Sequence, residues 1–206
     1  MARICIDQFY DWKKQGHRWV CLTAYDAPTA RVLESASVPM ILVGDSLGNV
    51  ILGHDSTVPV TMDDMVRHSA AVRRGAENTF VVCDMPFLAA QISDEDAIRN
   101  AGRLIQEGMA DAVKIEGGGA RVGTIRRIVD AGIPTMGHLG LTPQNATQLG
   151  GYKVQGNTPA SAAQILKDAR AIEESGAFAL VLECVPTGLA EKIQGALSIP
   201  VIGIGA

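Results

Sequence analysis

The chain has 206 residues, 47% of them apolar and 19% charged, with 22 glycines and no like-charge block, a balance that suits one globular domain and argues against a disordered tail. Eighteen basic against 22 acidic residues leave a net charge of −4, which excludes a nucleic-acid binder driven by bulk charge and supplies no polybasic membrane patch. Cys5, Cys21, Cys83 and Cys184 show neither a C-x-x-C pair nor zinc spacing, and the N-terminus lacks an apolar signal core, so the expectation is a cytoplasmic protein without a disulfide framework.

In chain order, short apolar runs alternate with capped amphipathic segments, the pattern of βα units around a parallel sheet. Strands are expected at Val20–Tyr25 and Met40–Asp45. Thr61-Met62-Asp63-Asp64 then resembles a capping box, with Met62, Met65, Val66, Ser69 and Val72 on one helical face before Gly75. A strand at Thr79–Asp84 follows, then a helix opened by Ser93 that carries Ala97, Ile98, Ala101, Leu104 and Ile105 and stops at Gly108. Strands at Ala112–Glu116 and Thr135–His138 flank a helix closed by Gly132. The segment from Leu139 to Thr158 is too long for an ordinary βα turn and reads as a disordered excursion, a lid or a subunit contact. Thr158-Pro159 opens a helix that Gly176 closes. Strands at Ala179–Glu183 and Ile199–Gly203, separated by a helix that ends near Ser198, complete the series.

Polar residues gather at strand C-termini, the end at which β/α barrels place catalysis: Asp45, Asp84, Lys114 and Glu116, His138 and Glu183. Period-two alternation puts Lys114 and Glu116 on the inner face of their strand and assigns Cys83 and Cys184 to the apolar layer between strands and helices. Any one of the three carboxylates Asp45, Asp84 and Glu116 reads as a solvated rim residue. Together they repel unless a cation or proton lies among them, and an oxygen-only set suits Mg²⁺ or Mn²⁺ rather than zinc. Lys114 is either their counter-ion or a stabiliser of a developing oxyanion. Glu183 is a salt-bridged rim residue or a general base, and His138 a packed histidine or a substrate contact. Gly117-Gly118-Gly119 lacks the dinucleotide fingerprint, and no phosphate-binding P-loop occurs.

The runs Thr23-Ala24-Tyr25-Asp26, Leu42-Val43-Gly44-Asp45-Ser46-Leu47-Gly48, Gly53-His54-Asp55-Ser56-Thr57, Val113-Lys114-Ile115-Glu116-Gly117-Gly118, Gly137-His138-Leu139-Gly140-Leu141-Thr142-Pro143-Gln144, Gly151-Tyr152-Lys153-Val154-Gln155-Gly156 and Leu182-Glu183-Cys184-Val185-Pro186 resemble the ketopantoate hydroxymethyltransferase family. The resemblance implies a (β/α)₈ TIM barrel of the phosphoenolpyruvate/pyruvate superfamily, bound Mg²⁺, and 5,10-methylenetetrahydrofolate as the one-carbon donor to 3-methyl-2-oxobutanoate. It further implies a homodecamer of two pentamers with small-molecule partners, a 2-oxo acid and a reduced folate, and neither nucleic acid nor membrane. Carried over residue by residue, it makes Asp45, Asp84 and Glu116 metal ligands. Asp45, Ser46, Asp84, Lys114 and His138 become substrate contacts and Glu183 the proton acceptor. Two other functions stand beside it: a related Mg²⁺-dependent lyase or mutase without folate, and a catalytically silent oxo-acid binder.

The strand count returns to the length. A (β/α)₈ barrel usually needs about 250 residues, and the strands expected here number one fewer than eight. Residues 1–206 are therefore expected to form a single β/α-barrel domain that is C-terminally incomplete, lacking its eighth βα unit, with its first and seventh strands each left with an unpaired edge.

Overall fold

Helices and short parallel strands alternate through residues 3–206, which the computed structural model describes. The chain forms two units, one running to Lys114 and the other starting at Ile115. The first contains α1 (Ile6–Gln15), β1 (Cys21–Thr23), α2 (Ala27–Ser35), β2 (Met40–Val43), α3 (Leu47–Val50), α4 (Met62–Gly75), β3 (Phe80–Asp84), α5 (Asp94–Gln106) and the start of β4 (Ala112–Glu116). In it β1 pairs in parallel with β2, β2 with β3, and β3 with β4. The second holds α6 (Arg121–Asp130), β5 (Thr135–Gly140), α7 (Pro159–Glu174), β6 (Ala179–Glu183), α8 (Thr187–Ala196) and β7 (Val201–Ile204), with parallel pairs β5–β6 and β6–β7.

Strand order follows chain order from β1 to β7, the arrangement of a β/α barrel. Among the described residues β1 has β2 as its one strand neighbour and β7 has β6 as its own, in keeping with seven of the eight βα units. Every residue of β3 and β4 is buried, as expected where both faces of a parallel sheet are covered.

All seven expected strands form, β4 and β6 with the expected bounds and the other five with shifted ends. β2 stops at Val43, so Asp45 stands two residues beyond it, because Gly44 opens a turn in which the Leu47 and Gly48 N–H groups donate to the Gly44 and Asp45 carbonyls. β1 ends before Tyr25, since Asp26 already caps α2 by accepting the Thr29 N–H at 2.7 Å. β5 runs on to Gly140, which is in register with Glu183 of β6.

The helix starts follow their signals. Thr61 and Asp64 form the reciprocal capping box of α4, and Thr158 with Ser161 does the same for α7. Helix α1 has no counterpart in the sequence reading. It buries Phe9, whose ring centroid lies 4.8 Å from that of Trp19 and 5.3 Å from that of Phe80.

Cys83 lies on the helix side of β3, with Sγ 3.9 Å from the Met65 carbonyl of α4. Cys184 departs from its expected place. The strand ends at Glu183, and Cys184 turns into the left-handed region at φ 47° and is only half-buried, its N–H donating to the Ile204 carbonyl.

At the opposite end of the first unit's strands, the buried Arg73 of α4 donates to the carbonyls of Ala76 and Thr79 at 2.9 Å and of Met109 at 3.1 Å, and pairs with Asp111. Asp111 in turn accepts the Val81 N–H at 2.8 Å. One guanidinium thereby satisfies carbonyls that helix and strand ladders leave over.

Candidate active site

The candidate residues fall into two sets, one in each unit. In the first, Asp45 and Asp84 are nearly fully buried, and the Asp45 N–H donates to Asp84 Oδ2 at 3.1 Å. Asp84 is the last residue of β3, and Lys114 is its direct partner in the β3–β4 register. Lys114 Nζ lies 3.1 Å from Asp84 Oδ1, off the axis of a hydrogen bond, so the attraction between them is chiefly ionic. Ser46 begins the short helix α3, and its Oγ sits 2.8 Å from the hydroxyl of Tyr25. A side chain at Gly44 would place its Cβ 2.8 Å from Ser46 Oγ, so the bare backbone there keeps room for the serine.

Charge in this set is dominated by the two aspartates, which face a single ammonium among the candidate residues. Their field also reaches Cys21 on β1. Burial, reinforced by the Asp84 charge, pushes that thiol up to about 12 and leaves it protonated at neutral pH. Cys21 is therefore poorly suited to serve as a nucleophile.

In the second set, Glu116 ends β4, His138 sits within β5 and Glu183 ends β6. His138 Nδ1 is 3.4 Å from Glu116 Oε1, and Nε2 is 3.2 Å from Glu183 Oε2. The Gln144 N–H donates to Glu116 Oε2 at 3.1 Å. Glu116 and His138 are almost completely enclosed, whereas the Glu183 side chain is 20% exposed. Backbone contacts fix the spacing: the Gly117 N–H donates to the His138 carbonyl at 2.9 Å, and the Leu141 N–H to the Glu183 carbonyl at 2.8 Å. Gly140 has φ +93°, and a Cβ there would fall 2.1 Å from the Glu183 carbonyl oxygen, so only glycine allows β5 and β6 to approach so closely.

The segment from Leu139 to Thr158 is folded rather than a disordered excursion. Pro143–Asn145 form a 3₁₀ turn, the Gln155 N–H donates to the Cys184 carbonyl at 2.8 Å, and Gly156 packs at φ +76° against Leu189 and Ile165.

The donor chemistry of the first set fits a hard divalent cation. Among the described residues no group of three or more His, Cys, Asp or Glu side chains forms a ready cage. Mg²⁺ does not need one, because it commonly takes one or two carboxylates and fills its octahedron with water and substrate oxygens. Asp45 and Asp84 supply that pair.

Two participants have no place in the sequence reading as site residues. Tyr25 lies within the Thr23–Asp26 run, and its hydroxyl is a signal that a polar group at a strand end could have carried. Gln144 acts through its backbone N–H, which no residue type announces.

The sequence profile of ketopantoate hydroxymethyltransferase matches residues 3–206. A relative named 3-methyl-2-oxobutanoate hydroxymethyltransferase from Heliobacterium modesticaldum is 57% identical over 99% of this chain and 74% of its own length. One of the same name from Moorella thermoacetica is also 57% identical, over 100% of this chain and 76% of its own. Among solved structures, 2,3-dimethylmalate lyase of the PEP mutase/isocitrate lyase superfamily superposes with a TM-score of 0.63 at 15% identity, covering 96% of this chain and 77% of that one.

Proposed function

The chain belongs to the ketopantoate hydroxymethyltransferase family and is an enzyme of that activity, and from that premise we propose that it transfers a hydroxymethyl group from 5,10-methylenetetrahydrofolate to 3-methyl-2-oxobutanoate. With one water consumed, the products are 2-dehydropantoate and tetrahydrofolate, a step of pantothenate and coenzyme A biosynthesis. The observation that carries this reading is 57% identity across 99% of the chain, together with an unbroken set of carboxylates and one lysine at or beside strand C-termini.

Asp45 and Asp84 are the residues to hold Mg²⁺, with Glu116 assigned to the same ion by the family resemblance. When bound, the ion supplies Lewis-acid stabilisation of charge on a keto oxygen. Asp45 and Ser46 contact the oxo acid, and the Lys114 ammonium balances its carboxylate charge. Glu183, the partly exposed carboxylate, accepts the C3 proton as the C–H bond breaks, and its electron pair passes into the enolate. The enolate carbon then attacks the methylene carbon of the donor as one of its two C–N bonds breaks, and water displaces the second nitrogen, leaving a hydroxymethyl group on the product and releasing tetrahydrofolate. The same reading places the enzyme in the cytoplasm as a homodecamer of two pentamers built from this β/α-barrel domain. No helix among the described residues is long and apolar enough to cross a membrane.

The direct test is an assay with Mg²⁺, 3-methyl-2-oxobutanoate and methylenetetrahydrofolate, with omission of each in turn. Formation of 2-dehydropantoate only when all three are present is the expected result. Turnover of the oxo acid that is indifferent to the folate would instead identify a folate-independent lyase or mutase.

A further inference from the structure

We propose that His138 is a positioning residue: it bridges Glu116 to Glu183 and aims the Glu183 carboxylate, rather than contacting substrate itself. The inference rests on Glu183 being the base.

Each ring nitrogen of His138 lies near a protein carboxylate, Nδ1 at 3.4 Å from Glu116 and Nε2 at 3.2 Å from Glu183, the second approach being off the axis of a hydrogen bond. The far end of the row is anchored, since Glu116 Oε2 accepts the Gln144 N–H at 3.1 Å. The near end is open. Exposure rises from 3% at the Glu116 and His138 side chains to 20% at Glu183, so an incoming molecule reaches Glu183 first and the ring lies behind it.

The backbone makes the row stiff. His138 and Glu183 stand on paired strands, and the Leu141 N–H and the side-chain-free Gly140 clamp the Glu183 carbonyl against β5. What remains free is rotation of the Glu183 side chain, and a glutamate at the mouth of a site has several rotamers to explore. The imidazole edge restricts them by attracting Oε2, which leaves the other oxygen to meet a C–H bond. Misplacing a base by about 1 Å costs on the order of a hundredfold in rate, so a contact that only orients Glu183 has a kinetic effect without binding anything.

The test follows hydrogen–deuterium exchange at C3 of 3-methyl-2-oxobutanoate with Mg²⁺ present and folate omitted, by proton NMR, so that the base step is seen alone. Circular dichroism and thermal melting check that each variant folds. For His138→Ala, kcat for exchange should fall at least about tenfold while KM for the oxo acid moves less than about threefold. His138→Gln, which can still donate to one carboxylate, should recover part of the loss.

A second measurement needs no turnover. In imidazole-labelled ¹⁵N NMR of the protein without substrate, Glu183→Gln should move the Nε2 resonance of His138 and Glu116→Gln the Nδ1 resonance. A tenfold or greater rise in KM with kcat retained would overturn the proposal in favour of a direct substrate contact, and an Nε2 resonance that Glu183→Gln leaves unmoved would overturn it outright. Failure of wild-type enzyme to exchange C3 at all would remove Glu183 as base, a separate failure that takes the positioning role down with it.

Discussion

Lys114 stands directly opposite Asp84 on the neighbouring strand, with Nζ 3.1 Å from Oδ1 and their side chains only 4% and 5% exposed. Desolvating two ions costs several kcal/mol each, and their attraction roughly repays it; removing one partner leaves the other buried and uncompensated. Lys114→Met and Asp84→Leu are each expected to lower stability by about 3–5 kcal/mol, and the double variant by less than the sum. Urea denaturation checks this, and strictly additive losses would mean that the two charges are not coupled.

Asp84→Ala also bears on the cation. Its carboxylate is one of two in the first set able to hold a hard ion, so the variant should bind Mg²⁺ and the oxo acid more weakly by calorimetry. Unchanged Mg²⁺ affinity would take Asp84 off the ligand list.

Replacing the proposed base has a different signature. Glu183→Ala should abolish deuterium incorporation at C3 while metal-dependent binding of the oxo acid persists, because the proposed mechanism gives Glu183 the C3 proton and leaves anchoring to other groups. Exchange at the wild-type rate would assign the proton to another residue.

Arg73 carries a stability prediction far from any chemistry. Arg73→Met strands the carbonyls of Ala76, Thr79 and Met109 and leaves Asp111 without this partner. A loss of about 3–5 kcal/mol is expected. Arg73→Lys should restore only part of it, since an ammonium cannot reproduce the planar fork. Thermal melts of the two variants measure the difference, and equal stability of the lysine variant and wild type would show that the fork geometry is immaterial.

The thiols give a pH-dependent prediction. Burial first, and Asp84 second, push Cys21 from 9.0 up to about 12, and burial raises Cys83 further. A thiol whose value is raised on folding contributes stability that is complete below the unfolded value and is lost as pH climbs past it. Stability should therefore decline above about pH 9 as unfolded chains release these protons. At pH 8 a disulfide reagent should modify the exposed Cys5 rapidly and spare the buried Cys83 until denaturant is added. Rapid labelling of Cys83 in the folded protein would contradict its enclosure.

The strands and most candidate residues are legible in the sequence for one reason: a parallel strand covered on both faces is so apolar that Asp84, Lys114, Glu116, His138 and Glu183 stand out against it. What escapes is what depends on distant or backbone partners. The apolar face of α1 is largely aromatic, and its fit to Phe80 is visible only once the chain has folded. The bond from Gln144 to Glu116 uses a group that every residue but proline possesses. Alternation applied to Cys184 reaches one residue past the point where the strand ends, and it has no meaning beyond that point.

Gly140 sets a limit on how this enzyme can change. Because even one methyl group there would collide with the carbonyl of Glu183, the placement of the proposed base depends on an empty volume in the main chain. Redesign of the mouth for a bulkier oxo acid can draw freely on the surrounding side chains, but not on this position. A mutational scan for new substrates should find it silent in every active clone.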